Sequence, residues 1–191
     1  MFGDECGVTA LSWKSSKIDR VCRSPPAAEV IAVSNAEDEA VLVRLTLAEL
    51  QGVEVDIKNP WEAVRQVPAV VLTDSKDLYD KMLATEKLMT GKEKRTSIEL
   101  LALEHNTRTC DTQLRWVHSD AMLANSLTKG NELHQLQLYF DSGCRWRIVH
   151  DDKFMSAKKR RAKGQPALDH GSIENYPYVP APPPAAGTTG T

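Results

Sequence analysis

The sequence has no apolar run approaching the ~20 residues that a membrane-crossing helix needs. Its start lacks the basic-then-apolar pattern of a secretory leader. Among its four cysteines, Cys6, Cys22, Cys110 and Cys144, there is no C-x-x-C pair, and their wide spacing argues against a zinc site. Reduced thiols and a cytoplasmic or nuclear setting are therefore the expectation. There is no excess of charge of either sign: 24 basic residues stand against 26 acidic ones, for a net charge of −2. Nucleic-acid contact, if any, has to use a local patch rather than the whole surface. No internal repeat is visible.

What is present suits one domain and a tail. The chain has 191 residues, of which 41% are hydrophobic and 26% charged, so a core can form over most of it. Val8 to Trp13 read as a short strand. Ser24-Pro25-Pro26 opens a helix, since serine caps well and proline fits the first turn. That helix runs through Leu50, with Ala28, Ile31, Ala32, Ala36, Val43, Leu47 and Leu50 as its apolar positions, and Gly52 ends it. Glu37, Asp38 and Glu39 read as its solvated face. Val53 to Pro68 form a connector that Trp61 anchors to the core.

Pro68 to Thr73 form a continuous apolar run, which suits a parallel strand buried on both faces. A helix follows from Ser75 to Ala84, using Leu78, Met82 and Leu83. Another runs from Lys92 to about Asn106, with Ile98, Leu101, Ala102 and His105 on one stripe. Thr112 to Val117 read as a strand. Ser119-Asp120 caps a helix through Leu127, a further helix covers about Asn131 to Phe140, and Arg145 to His150 suit a small strand. The domain thus spans residues 1–150. Residues 151–165 form a basic segment in which Lys153, Lys158, Lys159, Arg160, Arg161 and Lys163 occur with no acid among them. Residues 166–191 carry six of the ten prolines and suit a disordered tail.

Four blocks, in order, resemble the ribonuclease-H domain of copia-type retrotransposon polyproteins. LSWKSSKIDRVCRSPPAAEVIAVS (11–34) is similar to the family's "SWKS-K" segment and helix entry. VVLTDSKDLYD (70–80) resembles its strand ending in aspartate. KRTSIELLALEHN (94–106) resembles its basic-then-helical block, and LRWVHSDAMLANSLTK (114–129) its terminal "WV…LADxLTK" signature. One block alone is weak, and the ordered set covering residues 8 to 150 is specific.

The resemblance implies an α/β ribonuclease-H-like fold of three layers, a mixed sheet flanked by helices. Its first, central strand lies upstream of Met1. The strand at Val8 to Trp13 is then expected to pair directly with the one at Val70 to Thr73. The activity implied is cleavage of the RNA strand of an RNA–DNA hybrid by two Mg²⁺ or Mn²⁺ ions held about 3.5–4 Å apart by carboxylates. Of the four acidic positions implied, the first has no counterpart here, and Asp4 and Glu5 are weak substitutes. The second maps onto Glu29, the third onto Asp74, and the fourth onto Asn125, where the family has aspartate. A neutral amide is a poorer Mg²⁺ ligand, so hydrolysis is expected to be impaired or lost.

Plainer readings stand beside these. Glu29 suits a helix-dipole partner and Asp74 an N-cap. Asp120 reads as a cap, Trp116 and Trp146 as packing residues, and His105, His118 and His134 as non-ligands. Three functions remain open: an impaired nuclease working beside the reverse transcriptase of a parent polyprotein, a retroelement remnant, and a nucleic-acid-binding module. The last would use Lys158, Lys159, Arg160, Arg161 and Lys163, which otherwise read as a solvated linker.

Overall fold

The computed structural model describes residues 10–15, 17–18, 21–22, 24–84, 94–128, 134–146 and 155–166. They form a mixed α/β arrangement. In chain order the elements are α1 (Pro25–Leu50), α2 (Trp61–Arg65), β1 (Ala69–Thr73), α3 (Lys76–Leu83), α4 (Lys94–Thr109) and β2 (Thr112–Trp116). A 3-10 turn (Ser119–Ala121), α5 (Asn125–Thr128), α6 (His134–Asp141) and α7 (Ala157–Ala162) follow.

β1 and β2 run parallel, in register from Ala69 opposite Thr112 to Thr73 opposite Trp116. α3 and α4 supply the crossover that a parallel pair requires. α1 packs against α2, β1, α3 and α4, while α4 also lies on β2. One apolar cluster joins Val30 and Val33 of α1 to Val71, Leu78 and Leu103. A second joins Ala48 to Ala63 and Val67. Each valine or leucine among them, fully buried, contributes about 1.5–3 kcal/mol of hydrophobic stabilisation.

α1 begins as its sequence dictates. The Ser24 hydroxyl accepts the Ala27 N–H, and prolines fill the first two helical positions, where no N–H is needed. Past its end Gly52 takes φ +79°, a left-handed conformation open to glycine. Its buried face, however, differs from the expected one. The inward residues are Ala27, Val30, Ile31, Val33, Glu37, Arg44 and Ala48, whereas Leu50 is 78% exposed. Glu37 is thus buried rather than solvated, because the stripe that faces β1 and α4 carries two charged residues.

Arg44 is what makes that stripe tenable. Its Nε donates to the Val67 carbonyl at 2.6 Å, one Nη to the Thr112 hydroxyl at 2.9 Å and the other to the Cys110 carbonyl at 2.7 Å. Thr112 Oγ1 also lies 3.5 Å from Glu37 Oε1, as a donor. One guanidinium therefore binds the backbone just ahead of both strands. Burial lowers the Arg44 pKa, with Cys110, Asp111 and Glu37 opposing that fall. Burial raises the Glu37 carboxyl above its ordinary value.

Other expectations change in the same direction. The connector contains α2, and Ala63, Val64 and Val67 anchor it, not Trp61, which is 40% exposed. Among the described residues the two faces of β1 are covered unequally: Val71 and Thr73 are buried, while Leu72 is half-buried and Val70 is 45% exposed. α4 turns Leu103 and Thr107 inward, leaving Ile98, Leu101, Ala102 and His105 exposed. Residues 10–13 form no strand, and Leu11 and Trp13 are exposed; Val8 and Thr9 lie outside the described residues. Among the described residues β1 pairs with β2 alone, so residues 10–13 make none of the direct pairing expected for the N-terminal segment. Arg145 forms a lone bridge, with residues 147–150 outside the description, as is the tail from 167.

Arg44→Ala strands two backbone carbonyls and a hydroxyl and leaves Glu37 buried beside them. The expected loss is about 3–5 kcal/mol, read as a lower urea midpoint at unchanged slope. A loss below about 1 kcal/mol would show that water replaces the guanidinium without penalty.

Glu37 gives a pH test. Its folded pKa lies above 4.5, so the native state holds the proton more tightly than the unfolded chain. Its contribution is greatest below 4.5, declines as pH rises through the raised folded value, and then levels off. Urea titrations across pH are expected to show that component removed in Glu37→Gln; parallel stability profiles for the two proteins would contradict it.

Candidate functional site

In open sheets with parallel strands, ligand chemistry collects beyond the carboxyl ends of the strands. Here that end is built by two short segments. On the β1 side, the chain leaves Thr73 into Asp74. The Thr73 carbonyl accepts the Val117 N–H at 2.9 Å, and Thr73 Oγ1 accepts the Ser75 N–H at 3.1 Å. The Asp74 carbonyl accepts the Trp116 indole N–H at 3.1 Å, which pins the first residue after β1 to the last of β2. Asp74 is half-buried. Ser75 is the N-cap of α3, but no cap bond comes from its side chain.

On the β2 side, Val117 and His118 are fully buried. His118 Nδ1 accepts the Asp120 N–H at 3.3 Å and so caps the 3-10 turn, a role expected of Ser119-Asp120. The turn delivers Asn125 at the start of α5. Its Nδ2 donates to the Ser119 carbonyl at 2.9 Å and to Asp74 Oδ2 at 3.4 Å. Two positions 51 residues apart in sequence thus share a contact. Glu29 lies half-buried on α1 with an interaction of its own.

This donor set does not suit a divalent cation. Mg²⁺ requires oxygen ligands. Both neighbours of the Asn125 carboxamide are acceptors, which dictates that its NH₂ faces them. The amide therefore offers hydrogen where a metal site needs a lone pair. Among the described residues no group of three or more His, Cys, Asp or Glu side chains that could hold a metal is found.

The basic segment borders this site. α7 is capped by Ser156, whose hydroxyl accepts the Lys159 N–H. Arg161 donates to Asp120 Oδ1 at 2.7 Å, and Asp120 Oδ2 lies 3.4 Å from His118 Nδ1. Arg160 is buried, with Nε donating to the Pro166 carbonyl at 3.0 Å. Within residues 155–166 Arg160 is thus buried, while Arg161 meets Asp120 and stays largely exposed. Lys158, Lys159 and Lys163 are exposed.

A separate cavity of about 170 Å³ opens between α1, α2 and α4, lined in part by Glu37, Asp38, Trp61, His105 and Cys110. Burial pushes the Cys110 thiol up to about 11, so it is neutral and a poor nucleophile at ordinary pH. The residues behind this cavity belong to the Arg44 network.

Sequence reasoning missed Glu37, Arg44, Ser119 and the arginines' internal partners. Only the i, i+7 spacing of Glu37 and Arg44 along the Val30–Ala48 stripe signalled any of this.

Compared with protein-family models, curated proteins and solved structures, the chain matches none. No helix of the described residues is long and apolar enough to cross a membrane.

The Arg161–Asp120 pair joins a largely exposed guanidinium to a mostly buried carboxylate. Arg161→Ala should cost no more than about 1 kcal/mol globally, because exposed pairs are weak. It should nevertheless speed hydrogen exchange across residues 157–162, since α7 loses its tie. Unchanged exchange would place the hold on α7 elsewhere, in Arg160.

Proposed function

We propose that the chain is a ribonuclease-H-type domain of copia-type retrotransposon lineage that has lost hydrolysis and retains nucleic-acid contact through α7. The observation that supports this reading is the Asp74–Asn125 contact. The residues named for the third and fourth acidic positions of the resemblance meet at the carboxyl end of a parallel strand pair. One of them is an amide that donates a hydrogen bond to the other.

The chemical consequence is loss of the reaction. Two-metal hydrolysis needs carboxylates that hold both ions and offset the charge of the attacking and leaving oxygens. An amide donor facing Asp74 supplies neither. Each ~1.4 kcal/mol of lost transition-state stabilisation costs about tenfold in rate, so removal of one ion lowers the rate by decades.

A specific observation favours residual binding. Lys158, Lys159 and Lys163 are exposed on and just after α7, whose Arg161 is tied to Asp120 in the turn that precedes Asn125. Such a patch attracts phosphates non-specifically and in a salt-dependent way. The ligand expected is an RNA–DNA hybrid or another nucleic acid, and contact with the reverse-transcriptase region of a parent polyprotein belongs to the same reading.

A labelled RNA–DNA hybrid incubated with the chain in Mg²⁺ or Mn²⁺ should stay intact while binding is seen by fluorescence anisotropy. Neutralising Lys158, Lys159 and Lys163 together should flatten the log–log salt dependence by roughly 2–3. Cleavage that Asp74→Asn abolishes would refute the loss of hydrolysis, and a salt slope unmoved by the triple substitution would refute the role of α7.

A further inference from the structure

We infer that the Asn125 carboxamide takes the electrostatic place of a cation, making the Asp74 end of the strand pair independent of metal. The inference rests on the proposed nuclease reading for the cation and on the Asn125 contacts for the geometry, and its test uses no nucleic acid.

Two acceptors converge on one side chain. The Ser119 carbonyl accepts from Nδ2 at 2.9 Å, an ordinary hydrogen-bond length. Asp74 Oδ2 lies at 3.4 Å from the same nitrogen, beyond the short distance of a charge-assisted bond. The carbonyl therefore anchors the amide, and the amide turns its remaining partial positive charge toward the carboxylate. Asn125 is itself fixed on both sides: its N–H donates to the Met122 carbonyl, and its own carbonyl accepts the Thr128 hydroxyl.

The partial positive charge that Asp74 meets is thus built into the polypeptide. A carboxylate at position 125 would reverse this. It would face the Asp74 carboxylate and the Ser119 carbonyl with no hydrogen to share, and like charges at that range repel. The two carboxylates would then supply hard oxygen donors of the kind that Mg²⁺ or Mn²⁺ takes. A single isosteric change should therefore convert a metal-blind site into a metal-requiring one.

The test is thermal unfolding of the full chain and of Asn125→Asp, in chelator and across a Mn²⁺ titration. Wild-type Tm is expected to ignore the metal. The variant should melt lower in chelator and recover by roughly 5–10 °C at about a hundredfold excess of Mn²⁺ over Kd. Adding Asp74→Asn to the variant should abolish that recovery. Asn125→Ala should lower Tm without any metal response, since it removes the donor and adds no ligand. A variant as stable as wild type in chelator and blind to Mn²⁺ would overturn the inference.

A second measurement covers a variant that fails to fold. In the wild-type chain, Mn²⁺ should leave the NMR signals of Asp74 and Asn125 unbroadened. Broadening that Asp74→Asn removes would overturn the inference whatever the variant does.

Discussion

The structure depends on one buried guanidinium. A two-stranded parallel sheet has few hydrogen bonds of its own, and isolated two-stranded pairs are marginal. Arg44 supplies what the pair lacks at its amino ends. It holds the Val67 carbonyl two residues ahead of β1, the Cys110 carbonyl two residues ahead of β2, and the Thr112 hydroxyl at the first position of β2. Arg65 adds a further bond at that end, from Nε to the Thr109 carbonyl. Only arginine has a planar fork that serves three acceptors in separate directions from one side chain. Ala69 opposite Thr112 is the first step of the register, and its position follows from where Arg44 grips the two chains.

That arrangement explains which parts of the fold were legible in the sequence. Local signals were readable because local physics decides them: Ser24-Pro25-Pro26 starts α1, the apolar run before Asp74 forms β1, and Thr112 to Trp116 form β2. The orientation of α1 was not readable. A periodicity count scores apolar residues, and the stripe that is buried holds Glu37 and Arg44 at two of its positions. Counting carbon alone selects a neighbouring stripe, which ends on exposed Leu50. The same happens on α4, where Thr107 belongs to the buried side and Ile98 does not. Charged residues can sit inward only where tertiary partners satisfy them, and those partners lie 23 to 75 residues away.

The candidate site shows the converse. Asp74 and Asn125 could be named together only because ordered sequence blocks assign them to one constellation; neither position carries a local signal of the other. Their contact is set by the far end of the same strand pair. Trp116 ties β2 to the Asp74 carbonyl, and His118 shapes the turn that brings Asn125 back. Of the basic segment only Arg160 is buried, and its partner, the Pro166 carbonyl, carries no sequence signal either.

The two ends of the strand pair are thus closed by different chemistry, and the difference bears on function. At the amino end a full charge is buried among backbone acceptors, where removing it is costly. At the carboxyl end a neutral amide meets a half-exposed carboxylate, an arrangement that costs little to alter. A metal-dependent active site needs unbalanced negative charge that only the ion neutralises, and such a cluster weakens the fold when the ion is absent. Replacing one acid of such a cluster by its amide removes that liability in a single step. On the proposed nuclease lineage, an amide at position 125 would end catalysis and at the same time ease the charge repulsion that opposes folding.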